Sequence, residues 1–379
     1  MTTNQEKTRV RVQMAALDPY ITESIPLPTE KTYAGRSYVY WGEDNLYPYY
    51  LLDLYNNVPT LRSIINGNVD FISGDDVLIT DAAENPRLAR GVMNDKGDTP
   101  FAQVRDLARD YEIYGGFALQ VIRDYTGAVS EVYYIDVRYL RTDEEGTVFR
   151  YSEKWDKGGS RDVQVYPAFV RDLDWASLTD EERDRHASSI LYVKNEHTQV
   201  YPAPIYRASV RDCEIERNIT DFHINSLENG FVSSAIVNFN NGNPTDEEKA
   251  EVERFFNERF SGHSNAGRII YSWNRTKDNA TTIDEFKIED FGERYKALST
   301  HARQQIFCAF RAIPALFGIM TESTGFNEQE FEQAFRLYNR TQIRPVQRII
   351  TDAYARIFGR DVITIRPFSI DEDVADTNI

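Results

Sequence analysis

Clusters of adjacent carboxylates are the residues of this sequence that could most readily do chemistry. They occur at Asp143-Glu144-Glu145, at Glu247-Glu248 and at Asp371-Glu372-Asp373. Carboxylates that converge on one pocket could bind a divalent cation or act as an acid and a base. Consecutive acidic residues at helix starts and in tails are, however, usually a solvated face. We therefore predict no catalytic residue and no metal site.

Sequence signatures of other chemistries do not occur. The chain has no Gly-x-x-x-x-Gly-Lys-Ser/Thr loop, no Gly-x-Gly-x-x-Gly turn, no Gly-x-Ser-x-Gly elbow and no His-Glu-x-x-His helix. Its five histidines lack the spacing of metal ligands. The sequence therefore predicts a protein that is not an enzyme, needs no cofactor and encodes no ATPase motor.

Composition limits the classes of partner. The 379 residues, of which 41% are hydrophobic, suffice for a sizeable core and two or three domains. A net charge of -17 repels phosphate, which excludes a sequence-reading DNA binder but suits a protein that lets DNA pass. Cys213 and Cys308 are interpreted as reduced core residues, and no apolar run reaches the length of a membrane span. We expect assembly in the cytoplasm and no membrane partner.

Helical and strand patterns predict a mixed α+β domain in the first half of the chain. A helical pattern carries apolar residues from 51 to 69 and ends at Gly74, and a second helix begins at Thr99-Pro100 and stops at Gly115. The predicted strands are 117–123 and 129–136, joined by a hairpin turn at 124–127, followed by 148–151, 164–170 and 190–194.

A long helix from Tyr206 to about residue 229 spans roughly 35 Å and has apolar residues on two sides. One stripe contains Ala208, Ile215, Ile219 and Phe222, and the other contains Val210, Cys213, Ile224 and Leu227. A helix that is apolar on two sides has neighbours on two sides. Within a globule that could mean burial, and in a ring of helices it would mean one neighbour per side.

A small β-α-β-β module follows, and a second long helix comes after it. The module has predicted strands at 234–239, 268–273 and 281–288, with a capping box at 245–248 that opens its helix. The second long helix runs from Glu293 until Pro314 breaks it. A polar loop then leads to a last helical stretch that Asn327 caps, Pro345 kinks or divides and Gly359 ends. The final predicted strand is 362–366.

This order of elements resembles the portal, or head-to-tail connector, proteins of tailed bacteriophages. The local matches are Trp-Gly-Glu-Asp-Asn-Leu-Tyr-Pro at 41–48, Tyr-Gly-Gly-Phe-Ala-Leu at 114–119, Asn-Ala-Gly-Arg at 265–268, the stretch 310–318, Phe-Asn-Glu-Gln-Glu at 326–330 and Thr-Gln-Ile-Arg-Pro at 341–345. Together they cover roughly residues 40–360. Members of this family form rings, usually of twelve subunits, at one vertex of the capsid.

The resemblance implies a portal-like fold with a wing, two stem helices, a clip and a tunnel loop. The implied segments are the wing at 1–205 with a flexible N-terminal arm, the first stem helix at 206–229, the clip at 230–292, the second stem helix at 293–314, the tunnel loop at 315–329, the long helix and return strand of the wing at 330–366, and an acidic tail at 367–379.

The resemblance also implies roles for three groups of residues. The DNA-proximal tunnel loop would contain Met320, Thr321, Glu322, Ser323, Thr324, Gly325, Phe326 and Asn327. The stem and subunit interface would contain Ile215, Ile219, Phe222, Ile224, Arg303 and Arg311. The clip contacts to partners would come from Asn240, Asn241, Asn243, Asn274, Arg275 and Lys277.

The implied function is that of a virion protein at the capsid vertex of a tailed phage or prophage. Double-stranded DNA would pass through the ring, independent of sequence, during packaging and ejection. The partners would be other copies of the chain, terminase, a head-tail adaptor and the major capsid protein. Basic residues of the second long helix, such as Arg303, could meet phosphates transiently or pair with acids of a neighbour, such as Glu216, and we favour the pairing.

Two other classes of protein stay open at this point. A metal-dependent nuclease or other phage-associated enzyme would bring at least two of the clustered carboxylates to one pocket. A monomeric helical scaffold would expose no self-complementary surface, and the two-sided helix argues against it.

Overall fold

In the computed structural model, the described residues are 30–32, 37–82, 84–155, 163–196, 199–228, 236–239, 245, 247, 250–251, 270–273, 289–318 and 328–369. The predicted N-terminal arm, most of the β-α-β-β module, residues 319–327 and the acidic tail from 370 lie outside these ranges. So do all the predicted clip-contact residues and tunnel-loop residues 320–327.

Eight helices lie in the described part of the chain. They are α1 (Tyr47–Asn57), α2 (Pro59–Ser73), α3 (Pro100–Tyr114), α4 (Asp180–His186), α5 (Val210–Glu228), α6 (Glu289–Phe310), α7 (Glu328–Tyr338) and α8 (Arg344–Phe358). Short 3-10 turns, such as Arg207–Ser209 and Pro314–Phe317, connect several of them.

Twelve strands in the same described part form five small sheets. They are β1 (Glu30–Thr32), β2 (Val39–Trp41), β3 (Asp76–Ile79), β4 (Gly116–Arg123), β5 (Val129–Ile135), β6 (Leu140–Thr142), β7 (Val148–Tyr151), β8 (Gln164–Pro167), β9 (Ser188–Lys194), β10 (Ile236–Phe239), β11 (Ile270–Trp273) and β12 (Ile363–Arg366). The strand orders are β1-β2, β5-β4-β9, β6-β7-β8, β10-β11 and β12-β3. The predicted mixed α+β class is confirmed.

The first predicted helical pattern is two helices, not one. Pro59 occupies the first position of α2, and the preceding Val58 is extended at φ -109° and ψ 104°. Proline disfavours the helical conformation of the residue before it, so the chain breaks between α1 and α2 while both helices keep their apolar sides in the core. Gly74 ends α2, as expected.

The 41–48 motif surrounds a fully buried arginine. Arg141 on β6 donates to the side chain of Asn45 at 2.5 Å and to its carbonyl at 2.6 Å, and it donates to the carbonyls of Arg138 and Leu140. Its guanidinium lies 5.8 Å from the centre of the Trp41 ring. Because a guanidinium has five donors, these acceptors offset its burial and fix the 41–48 turn on the β6-β7-β8 sheet.

The helix α3 and the hairpin after it follow the prediction closely. Thr99 caps the start of α3 and accepts a hydrogen bond from the amide of Ala102, and Gly115 ends the helix in the left-handed conformation. Strands β4 and β5 pair antiparallel across the predicted turn, and β9 adds to the other edge of β4. The described strands β10 and β11 pair in parallel.

The helix α6 ends at Phe310, four residues before the predicted break at Pro314. Arg311 adopts a left-handed φ of 51°, and the amide of Ala312 donates back to the carbonyl of Phe307 at 2.9 Å. Ile313 is extended because it precedes Pro314. The interpretation of Cys308 as a core residue is also wrong, because it is exposed, whereas Cys213 is buried.

A π-turn over Asn339–Ile343 divides the last helical stretch into α7 and α8. Pro345 lies in the first turn of α8 and has no amide hydrogen to give to the helix before it, so the predicted division near this proline is confirmed. Gly359 ends α8, and β12 then pairs antiparallel with β3. The end of the described chain thus closes on its first half.

Candidate functional site

The helices α5 and α6 pack against each other as an antiparallel hairpin. The ring of Tyr206, just before α5, stacks on Phe310 at the end of α6, with 5.3 Å between ring centres. At the other end, Phe222 stacks on Tyr295 with 4.9 Å between centres. Residues near the start of α5 therefore face residues near the end of α6, which fixes the direction of the two helices.

The base of this hairpin is anchored in the core of the protein. The hydroxyl of Tyr206 donates to the carbonyl of Ile113 at 3.1 Å, and the hydroxyl of Ser209 donates to the carbonyl of Gln305 at 3.0 Å. Cys213 and Ile306 are fully buried at this level. Burial of apolar surface and these two hydrogen bonds both hold the base in place.

A buried carboxylate joins three helices near the middle of the hairpin. Glu216 on α5, which is 4% exposed, accepts a hydrogen bond from Thr60 on α2 at 2.8 Å. Arg303 on α6 lies 3.5 Å from the same oxygen. The predicted pairing of Arg303 with Glu216 therefore exists, but within one chain. The antiparallel hairpin brings these two residues together, and a pairing of Arg303 with acids of a neighbouring subunit stays a prediction.

Apolar side chains become exposed toward the far half of the hairpin. Val210 and Cys213 are buried, and Ile215 and Ile219 are half-buried. Phe222, Ile224 and Leu298 are 46%, 48% and 41% exposed. A cluster of half-exposed apolar residues on a projecting element is typical of a protein interface.

The other residues predicted for this interface differ in their surroundings. Ala208, from the first stripe, is exposed, so that stripe does not pack evenly along α5. Arg311 is exposed beyond the end of α6. The roles of Ile215, Ile219, Phe222, Ile224, Arg303 and Arg311 in subunit contacts remain predictions.

An aromatic cluster that sequence reasoning missed holds both ends of the segment 319–327. Phe71 on α2 contacts Phe317 before this segment, with 6.1 Å between ring centres, and Phe335 after it, with 5.5 Å. Phe317 also packs against Tyr338, 5.8 Å away, and its ring leaves no space for a side chain at Gly67. Helix α2 thus fixes where the predicted tunnel loop leaves and rejoins the body. The aromatic spacing of α7 and the glycine inside α2 were the available signals.

A buried polar chain connects the same region to α3. The hydroxyl of Tyr338 donates to Asn68 on α2 at 2.7 Å, and the amide of Asn68 donates to Glu112 on α3 at 2.8 Å. Burial raises the pKa of Glu112 to about 7, against the opposing effect of the hydrogen bond from Asn68. The helix that follows residues 319–327 is therefore linked by polar contacts to a carboxyl group that titrates near neutral pH.

The acidic cluster at 143–145 does not form a metal centre. Burial opposes the ionisation of Asp143, but hydrogen bonds from Thr147 and Val148 outweigh it and lower the pKa of this carboxyl. Glu144 accepts a hydrogen bond from Thr32 at 2.7 Å. Glu144 and Glu145 line a cavity of about 240 Å³ together with Lys194 and Arg356, whose positive charges oppose cation binding.

Two further carboxylates, Asp110 and Asp136, lie near enough for their charges to interact, which the sequence did not indicate. Burial and the charge of Asp136 raise the pKa of Asp110 well above its ordinary value. Asp136 pairs with Arg138 at 2.9 Å and lines a groove of about 300 Å³, but Asp110 does not line it. Across the described residues, no group of three or more histidine, cysteine, aspartate or glutamate side chains could hold a metal ion.

Among the helices described, none combines the length and the apolar character that crossing a membrane requires.

The fold defines a mixed α+β protein with a projecting antiparallel helical hairpin and a long divided helix that closes back on the first half. Its sequence matches the family described as phage portal protein over residues 87–371, more than half of the chain. The chain therefore belongs to the phage portal protein family.

Two solved structures share this fold. One is the neck of a native gene transfer agent particle computed with C12 symmetry, 15% identical, with 85% of this chain and 84% of that chain covered and a TM-score of 0.51. The other is the neck of an empty particle computed with C6 symmetry, 16% identical, with 86% and 85% covered and a TM-score of 0.50. At these identities the likeness concerns the fold alone.

A relative in sequence is an uncharacterized protein from Rickettsia felis (strain ATCC VR-1525 / URRWXCal2). It is 26% identical over 188 residues, which is 46% of this chain and 46% of the relative. The chain thus spans about half the length of the curated relative it matches.

Proposed function

We propose that this protein is the portal of a tailed phage or prophage particle, and that copies of it form a closed ring, with twelve as the expected number. Double-stranded DNA passes through the ring during packaging and ejection. The ring lies at one capsid vertex, is assembled in the host cytoplasm, and docks terminase, a head-tail adaptor and the major capsid protein. Membership of the portal family and the likeness to a neck with twelvefold symmetry support this proposal.

The observation that carries the proposal is the apolar far half of the α5-α6 hairpin. Phe222 and Ile224 remain about half exposed in a single chain. A second copy that packs there would remove this apolar surface from water, and repetition of the same contact around an axis would generate a ring. We assign α5 and α6 to the stem, the region between them to the clip, the segment 315–329 to the tunnel loop, and residues 1–205 and 330–366 to the wing.

The test is the mass and shape of the purified protein. Native mass spectrometry and negative-stain images of the full chain should give a ring of about a dozen copies with a central hole, the closed cyclic symmetry expected of such assemblies. Phe222→Glu should reduce the ring population, because a charge would be buried at the contact. Tyr125→Glu is the matched control, since this aromatic side chain is 92% exposed in the turn between β4 and β5, outside the α5-α6 hairpin.

A ring that forms equally well from Phe222→Glu would contradict the assignment of the hairpin to the subunit interface. A wild-type protein that stays monomeric at high concentration and in the presence of its capsid protein would contradict the ring itself.

A further inference from the structure

Four arginines recur every fourth residue along α7, the π-turn and α8. They are Arg336, Arg340, Arg344 and Arg348, and all four side chains are exposed. We call this set the arginine ridge. It begins nine residues after the end of segment 319–327, in a chain whose net charge is -17.

The two outer arginines of the ridge have only weak partners. Arg336 pairs with Glu332 at 3.2 Å, and Arg348 pairs with Asp352 at 3.8 Å. Both are exposed pairs one helical turn apart, and such pairs contribute little free energy because water and salt screen them. An external anion can therefore compete for either arginine.

The two inner arginines have no partner within the described residues. The side chains of Arg340 and Arg344 form no hydrogen bond or ion pair with another described residue. A protein with 60 acidic and 43 basic residues has many carboxylates available for pairing. Two neighbouring guanidinium groups that none of the described carboxylates pairs are available to an anion from outside the chain.

The spacing of the ridge favours a regular polyanion. Four residues of helix advance about 6 Å, and each such step overshoots a full turn by about 40°. The wider turn at Asn339–Ile343 offsets part of this rotation between Arg340 and Arg344, so the side chains stay on one side. Duplex DNA carries one phosphate charge per about 1.7 Å of its axis, so a row of arginines about 6 Å apart can lie along a continuous line of negative charge.

We propose that the arginine ridge contacts the phosphate backbone of double-stranded DNA without reading its sequence. The inference rests on the proposed portal function, which brings DNA to the protein. It adds a contact surface beyond the predicted tunnel loop. Only two arginines of the ridge lack a partner among the described residues, and the protein is acidic, so each subunit should bind DNA weakly. Weak binding is compatible with DNA that has to move.

The experiment measures binding of a fluorescent duplex of about 30 base pairs to the full-length protein by anisotropy, over a series of salt concentrations. Each phosphate contact adds about 0.9 to the slope of log affinity against log salt. The double substitution Arg340→Gln with Arg344→Gln should therefore make this negative slope shallower by about 1.8 per site. Between about 50 and about 200 mM salt, the wild type should lose about tenfold more affinity than this variant does.

The matched control is Arg90→Gln with Arg185→Gln. Both arginines are exposed and lie outside the ridge. Their substitution changes the net charge by the same amount as the ridge variant does. The control should keep the wild-type slope. An equal fall in slope for the control would overturn the inference, because net charge alone would then explain the binding. An unchanged slope for the ridge variant, or no DNA binding by the wild type at low salt, would also overturn it.

Native mass spectrometry of the same samples separates this inference from the proposed function. Intact rings of the ridge variant with an unchanged slope would refute only the ridge, whereas a wild type that forms no ring would refute the portal assignment. Leu337 lies beside the ridge and is 62% exposed. The alternative partner of this surface is therefore a second copy of the chain. Loss of the ring in the ridge variant would indicate that contact and overturn the DNA inference.

Discussion

Burial changes the pKa of a single carboxyl group, that of Glu112, in a way the sequence does not indicate. Glu112 is 2% exposed and receives one hydrogen bond from Asn68. Its pKa of about 7 lies above the ordinary value of 4.5, so the folded protein holds a proton that the unfolded chain releases between these values. The resulting stabilisation is fully present below about pH 4.5 and is lost as the pH rises through about 7.

Replacement of this carboxyl group by an amide should remove that pH dependence. At pH 8, Glu112→Gln should unfold with a free energy higher by up to about 3 kcal/mol than the wild type, and near pH 4.5 the difference should vanish. Urea denaturation across this range measures it. Glu181→Gln, an exposed carboxylate on α4, is the control and should leave the profile unchanged. A parallel pair of profiles for Glu112→Gln and the wild type would contradict the shifted pKa.

Arg141 gives a second prediction at this scale. Its planar guanidinium meets Asn45 and two carbonyls at once and lies between the rings of Trp41 and Trp155. An ammonium group has fewer donors in a different geometry, so Arg141→Lys should leave acceptors unsatisfied and lower the free energy of unfolding by about 3 kcal/mol. Arg150→Lys, on the paired strand β7, should cost much less. Equal losses in thermal or urea unfolding would argue against a special role of Arg141.

At the scale of elements, helix α2 packs against residues on both sides of the segment that the resemblance assigns to the tunnel loop. Phe71 contacts aromatic rings on both sides of that segment, and Thr60 reaches Glu216 on α5. The packing of one helix therefore positions both the hairpin and the two ends of the predicted loop. We expect substitutions in α2 to affect both regions.

Gly67 provides a direct test of this packing. A Cβ atom at this position would lie 2.7 Å from the ring of Phe317. Alanine favours helix over glycine by about 1 kcal/mol, yet Gly67→Ala should destabilise the protein by about 1 to 3 kcal/mol because the ring has to move. Addition of Phe317→Leu should recover part of the loss, and the double-mutant cycle measures this coupling. Additive effects would show that the two residues do not share one space.

At the scale of the whole molecule, the single chain leaves its far hairpin and its arginine ridge at the surface. The apolar residues of the hairpin suit a second copy of the chain, and the ridge suits a regular polyanion. Because the chain is strongly acidic, like charges of neighbouring subunits oppose close association. Ring formation should therefore be favoured by salt, and DNA binding should be opposed by it.

This opposition predicts the salt dependence of assembly. Between about 50 and about 500 mM sodium chloride, the fraction of wild-type protein in rings should rise, since screening at these concentrations shortens the Debye length from over 10 Å to about 4 Å. Mass photometry or native mass spectrometry after dilution from each buffer measures the fraction. A fall of the ring fraction with salt would show that attraction between charges, and not burial of apolar surface, dominates the subunit contact.

The sequence alone determined the family and much of the local structure. The cap at Thr99, the stops at Gly74, Gly115 and Gly359, and the division near Pro345 depend on residues that act on their immediate neighbours, so they could be predicted without a fold. Periodicity also located the two long helices and the helical pattern at 51–69. Val58 divides that pattern and Arg311 ends the second long helix, because backbone conformation, not apolar pattern, decides there.

Only the tertiary structure decided which side chains meet. Phe71 and Phe317 are far apart in sequence, and so are Asn68 and its two partners Glu112 and Tyr338, so no spacing could connect them. The pKa of Glu112 and the partners of Arg141 depend on burial, which is a property of the packed chain. The sequence thus determined elements through local interactions, while contacts between distant residues required the fold, because long-range packing brings together groups that the chain separates.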